Sequence, residues 1–176
     1  MGFLDRFRKP QNEHRSTPPT SVERIVAVNF CVESFKDRDW DTCMLRAAVL
    51  ARDHVSLQAM QMLLISAQRM QHDSEDERDK SIWNNAVMLA HRMQGMDLIM
   101  VRLTLGEVTL EDALRSATTK NDFCKAYYYA GARSLSLGYV REAISTLKKA
   151  VAQGASTWEV DLAAADLAWA ESLRKL

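Results

Sequence analysis

Four histidines, three cysteines and an acidic run, DSEDERD, are the residues of this chain whose types suit chemistry. His14, His54, His72 and His91 are scattered, and none belongs to an H-E-x-x-H pair that would set two imidazoles on one helix face for zinc. His14 and His72 stand in polar stretches and read as solvated. His54, at a helix start, and His91, late in a helix, read as capping or packing residues. Cys31, Cys43 and Cys124 are odd in number and far apart, with no C-x-x-C and no cysteine–histidine cluster at zinc spacing. Each sits in an apolar helical setting, as a small core residue does, which points to a reducing compartment. The acidic run reads as a solvated turn. The six glycines form neither a phosphate loop nor a dinucleotide fingerprint. The expectation is a protein with no catalytic residue, no metal and no cofactor, and so not an enzyme.

What remains is the scaffold. The chain has 176 residues, 47% of them hydrophobic and 26% charged, with only three prolines and six glycines. That is the profile of a folded, helix-rich domain. Lys plus Arg equals Asp plus Glu at 23 each, so no global charge favours nucleic acid. No run of about 18 apolar residues marks a membrane span. Met1 to Pro10 is too short and too charged for a secretory signal. The expected location is cytoplasmic, with attachment to a membrane surface as an alternative.

The chain divides at about residue 20. In residues 1–9, MGFLDRFRK, Phe3, Leu4 and Phe7 share one face of a short helix, and Arg6, Arg8 and Lys9 take the other. Pro10 to Thr20 holds all three prolines and no large apolar residue, so it reads as a flexible linker. Three roles fit the segment: a tail, a weak anchor at an anionic membrane, or a flap that folds back on the first repeat. Arg6 stands where a myristoylation signal wants serine or threonine.

From Ser21 onward there is no strand alternation. Helical patterns span 21–36, 39–52, 54–71, 76–93, 95–105, 109–118, 122–137, 139–153 and 156–175. Thr20 and Glu23 have the spacing of a capping box, Asp37 to Asp39 offers a turn and cap, and Asn121 is a cap candidate. Gly95, Gly106, Gly138 and Gly154 are placed to leave helices through left-handed backbone geometry. The methionines at 60, 62, 70, 88, 93, 96 and 100 have helical spacing and read as core filler, with an adaptable binding surface as the alternative. Helical hairpins starting near 21, 54, 95 and 122, with a last helix at 156, average about 34 residues per unit.

Small residues recur along YYYAGARSLSLGYVREAISTLKKAVAQGA, residues 127–155, at Gly131, Gly138, Ala143, Ala150 and Gly154. Close helix packing needs small side chains at the crossing, so Gly131 and Ala143 are expected between two helices. Ile144 and Leu147 supply the bulk. With the aromatic Tyr127, small Ala130 and Gly131, Leu137-Gly138, Glu142 to Ile144 and Lys149-Ala150, residues 124–154 resemble the tetratricopeptide repeat. Ser134 replaces the usual aromatic of the first helix and Ala155 the usual terminal proline. FKDRDWDTCMLRAAV, 100 residues upstream, and LGEVTLEDALRSA, from Leu105 to Ala117, echo the same turn.

The resemblance implies an all-α, TPR-like helical-hairpin solenoid over residues 21–176, about four irregular hairpins plus a C-terminal capping helix. It implies a protein–protein interaction module that holds a peptide or helix of a partner in a concave groove, with no nucleic acid. It sets Lys125, Tyr128, Ala132, Leu135 and Ser136 on that face in the last repeat, Val28, Val32 and Phe35 in the first, and Glu159, Leu162, Asp166 and Trp169 in the final helix. Tyr128, Leu135 and Trp169 are then expected to be exposed enough to touch the partner, with packing against the next hairpin as the alternative for Tyr128. Relatives that clamp a carboxylate use lysine and asparagine where this chain has Tyr128 and Ala132, which argues against a chaperone-tail clamp. A second reading is a cytosolic chaperone or adaptor for a secretion or membrane-associated complex, with residues 1–9 as its weak anchor.

Overall fold

The computed structural model describes residues 21–53, 57–71, 84, 87, 88 and 90–174. Among them the secondary structure is all-helical: α1 (Ser21–Lys36), α2 (Trp40–Asp53), α3 (Leu57–Gln71), α4 (Gly95–Leu105), α5 (Leu110–Ser116), α6 (Lys120–Ser136), α7 (Val140–Ala152) and α8 (Trp158–Leu173). These follow the expected spans within a few residues. The helix expected over 76–93 lies largely outside the described residues, although Asn84, Val87, Met88 and Ala90 are helical. The Thr20–Glu23 box and the role of residues 1–20 also lie outside them.

Local chemistry sets the helix ends. Thr109 and Thr119 each accept a hydrogen bond from the backbone N–H three residues on, while the Asp112 and Asp122 carboxylates accept one from the cap backbone N–H. Thr119, not Asn121, is therefore the cap of α6; the aspartate three residues after it completes the box, which Asn121 lacks. Hydrogen bonds from the Thr109 hydroxyl and N–H hold the Asp112 carboxyl below its usual range. Burial pushes Asp122 up, but its bonds to Thr119 and Thr118 outweigh that and leave it lowered as well. A carboxyl whose folded pKa lies below the unfolded value of about 3.9 stabilises above that value. The contribution is lost as pH falls through the folded pKa. Thr119→Ala should cost about 1 kcal/mol in a urea titration at pH 7, and an unchanged midpoint would show that the box contributes nothing.

Three helices end in one way. Beyond α6, the Gly138 N–H donates to the Leu135 carbonyl and the Tyr139 N–H to Ser134. Beyond α4, Gly106 donates to Leu103 and Glu107 to Arg102; beyond α1, Arg38 donates to Phe35 and Asp39 to Ser34. This is the Schellman pattern, and it needs a left-handed residue. Gly106 and Gly138 both have φ of 80°, while Arg38 adopts 62°, where an L side chain costs about 1–2 kcal/mol relative to right-handed backbone. The following helix carries a fully buried small residue at its fourth position each time: Cys43 in α2, Ala113 in α5, Ala143 in α7.

Packing joins sequential neighbours α1–α2, α2–α3, α6–α7 and α7–α8, and also the next-but-one pairs α1–α3, α4–α6 and α6–α8. In α7, Ala143, Ile144, Leu147 and Ala150 form one buried stripe against α6 and α8. Gly131 is buried at the α6–α7 crossing, and a Cβ there would stand 2.8 Å from Leu147 Cγ. The methionines divide. Met44, Met60, Met62, Met93 and Met100 are buried, Met70 and Met96 are half-buried, and Met88 is exposed. Two further contacts, α3 on α6 and α1 on α8, draw the two ends of the chain together. No helix among the described residues is long and apolar enough to cross a membrane.

Candidate functional site

The row expected to line a groove is mostly interior. Tyr128, Glu159 and Leu162 have no exposed surface, Phe35, Leu135 and Asp166 are buried, and Ala132 and Ser136 are buried beside them. Val28, Val32, Lys125 and Trp169 are half-buried. The expected exposure of Tyr128 and Leu135 is thus corrected. α3 packs on α6, and Arg69 of α3 reaches Asp166 of α8, so these residues lie between helices.

Arg69 of α3 is the centre of that closure. Its Nη2 donates to Asp166 Oδ2 of α8 at 2.6 Å, and both side chains are almost fully buried. The guanidinium carbon lies 4.8 Å from the Phe35 ring centroid, 4.5 Å from Trp40 and 5.1 Å from Trp169. Its Nε and Nη1 have no hydrogen-bond partner among the described residues. The three rings face this cation with their negative quadrupoles, an attraction of about 2 kcal/mol when desolvated. Trp40 also packs edge-on to Phe35 at 5.0 Å and tilted to Trp169 at 5.9 Å. One cation thereby ties α1, α2, α3 and α8. A shallow depression of about 250 Å³ lies beside it, lined by Trp40, Trp169, Leu135, Val140, Leu173 and the outer edge of Arg69 among others.

The three successive tyrosines are sorted by depth. Tyr127 is half-buried under Lys149, whose Nζ is 5.8 Å from the ring centroid. Tyr128 and Tyr129 are fully buried, with ring centroids 5.1 Å apart. The Tyr129 hydroxyl donates to Glu159 Oε1 at 2.9 Å. Burial pushes both phenols well above their usual range, aided by the negative charge of Asp166 for Tyr128 and of Glu159 for Tyr129. They remain neutral phenols, poor proton donors or acceptors near pH 7.

The other reactive side chains have structural settings. Burial pushes the Cys31 thiol up to about 12 and Cys43 to about 11, and it raises Cys124 too. Such thiols are neither nucleophiles nor ready metal ligands. His91 is exposed, with Nε2 3.6 Å from Glu107 Oε1, and the other oxygen of that carboxylate, Oε2, meets Arg102. His14, His54 and His72 lie outside the described residues.

An accessible apolar surface lies elsewhere, on the α1–α2 hairpin. Phe30 is 56% exposed, Val26 46% and Val49 41%. Ala27 and Phe30 from α1, with Leu45, Val49 and Leu50 from α2, line an open groove of about 450 Å³. Arg46 forms its polar rim. Its Nη1 donates to the Phe30 carbonyl at 3.3 Å and to Ser34 Oγ at 3.0 Å, and its guanidinium stands 5.3 Å from the Phe30 ring. An apolar patch rimmed by a polar side chain is the usual form of a docking surface. Residue types alone did not single out this face: in α1 polar and apolar residues are mixed round the helix, so its pattern does not tell the outer side from the core side.

Family models, curated proteins and solved structures returned no match to this chain.

Proposed function

We propose that this chain is a non-enzymatic interaction module, built as a compact TPR-like array, that receives a short apolar helix of a partner protein in the α1–α2 groove. The observation that carries the reading is the groove itself, with Phe30 and Val49 open to solvent on two packed helices. A helix laid along such a pair buries its apolar face at i, i+3 and i+4 positions. The repeat reading is supported by the three matching turns. Arg38 and Gly106 lie 68 residues apart and Gly106 and Gly138 lie 32 apart, two periods and one period of about 34. The small fourth residue after each turn and the next-but-one helix contacts fit the same unit. The docking face moves from the concave row of the sequence expectation to the outside of the first hairpin, because most of that row lies between helices.

The described lining lies along two packed helices, Ala27 and Phe30 on one and Leu45 to Leu50 on the other, a strip that suits a helical segment laid along it. A photo-crosslinking amino acid at position 30, introduced in the native cell, should trap one protein at a segment that mass spectrometry identifies. The same amino acid at Lys148, which pairs with Glu171 across α7 and α8, should not. Phe30→Glu should weaken binding of the trapped segment about tenfold or more and leave the melting temperature nearly unchanged, since its ring is mostly in water. Equal trapping at both positions, or undiminished binding by Phe30→Glu, would remove the groove as the site.

A further inference from the structure

We infer that the depression beside Trp40 and Trp169 binds a small carboxylate ligand, its charge carried on a flat or branched apolar body. The depression shares no described lining residue with the α1–α2 groove, so the site stands whether or not that groove docks a partner.

Arg69 lines the depression, although its side chain is only 2% exposed. A guanidinium carries five N–H donors. Asp166 meets Nη2, whereas Nε and Nη1 have no acceptor among the described residues. Buried donors of a charged group are costly to leave unmet, so an acceptor brought to them gains what the fold does not supply. Arg38 adds a second cation. Its backbone is left-handed, where the matching turns carry Gly106 and Gly138, so an arginine works against the local preference. Such an outlier points to a role for its side chain. The Arg38 guanidinium carbon stands 5.3 Å from the Trp169 ring centroid, and no described carboxylate pairs with it.

Both guanidinium carbons thus lie within 5.3 Å of one indole centroid, and one carboxylate, Asp166, answers the two. Asp39, next to Trp40, accepts from the Thr42 N–H instead. Two helices begin at the rim, at Trp40 and Val140, and two end there, at Ser136 and Leu173. Their dipoles offset, and the side chains set a positive sign. Leu135, Val140, Leu173 and the two half-buried indoles supply apolar walls. Apolar walls with a few placed polar groups are the usual form of a small-ligand site. A volume of about 250 Å³ holds about eight waters at about 30 Å³ each, room for an acid of on the order of ten non-hydrogen atoms. An inorganic anion would leave those walls unused.

The test titrates the full chain with 3-phenylpropionate, its uncharged amide and acetate, read by calorimetry and by melting temperature. 3-Phenylpropionate should bind about tenfold or more tighter than either control and raise the melting temperature. Arg38→Gly should weaken that binding about tenfold or more. The melting temperature of the unliganded variant should hold or rise, since glycine suits the left-handed backbone. Arg69→Met/Asp166→Leu should abolish binding. N-acetylphenylalanine separates two sources of the same chemistry. If it binds tighter than 3-phenylpropionate, the carboxylate is the end of a polypeptide; if weaker, it is a free acid; either order upholds the site. Equal affinity for acid and amide would overturn the inference, as would acetate binding as tightly as 3-phenylpropionate. So would full affinity in Arg38→Gly, or no saturation up to about 10 mM 3-phenylpropionate.

Discussion

Arg69→Met lowers stability by about 3–5 kcal/mol in urea titration, the usual consequence of stranding a buried charge. The stranded group is Asp166, whose carboxylate is almost fully buried and takes the 2.6 Å bond from Arg69 Nη2. The three rings around the guanidinium lose their cation in the same step. The double variant Arg69→Met/Asp166→Leu should recover most of the loss, because an apolar pair of similar volume avoids the desolvation of both ions. A loss below about 1 kcal/mol for Arg69→Met would mean that the pair does not hold α3 to α8.

Gly131→Leu costs about 1–3 kcal/mol or more through overpacking. Even a Cβ at this position lies 2.8 Å from Leu147 Cγ, 2.9 Å from its Cδ2 and 3.3 Å from its backbone nitrogen. The last atom belongs to the α7 backbone and cannot rotate away. Pairing the substitution with Leu147→Ala should give a loss smaller than the sum of the two single losses, because the residues share one space. Strict additivity in denaturant titrations would place Gly131 away from the crossing.

Helices and turns were legible because their causes are local. Gly106 and Gly138 announce left-handed exits, and the alternation of small and large residues from Gly131 to Ala150 announces a close crossing. Thr119 was less legible, since Asn121 is an equally good cap by type and only the reach of Asp122 decides. Arg38 hides a turn that glycine would have marked. The interior row was legible as interior only in the alternative for Tyr128. Tyr128 and Asp166 are polar enough for a groove and Leu135 suits a groove or a core alike, and what packs on them is α3, whose Arg69 stands 97 residues from Asp166. No local period reports a contact at that separation. The exposed groove was missed for the converse reason: Val26, Phe30 and Val49 resemble core residues, and only the packing shows which side of the hairpin faces solvent.

Oxidative footprinting of the native protein, read residue by residue by mass spectrometry, tests most directly whether the Tyr128 row is interior. Tyr139, which is 60% exposed, supplies the reference rate. The packing predicts that Tyr139 labels fast, Tyr127 more slowly, and Tyr128 and Tyr129 only in urea concentrations that unfold the chain. Native-state labelling of Tyr128 at the rate of Tyr139 would mean that the row is an open groove, and the docking surface would return to it.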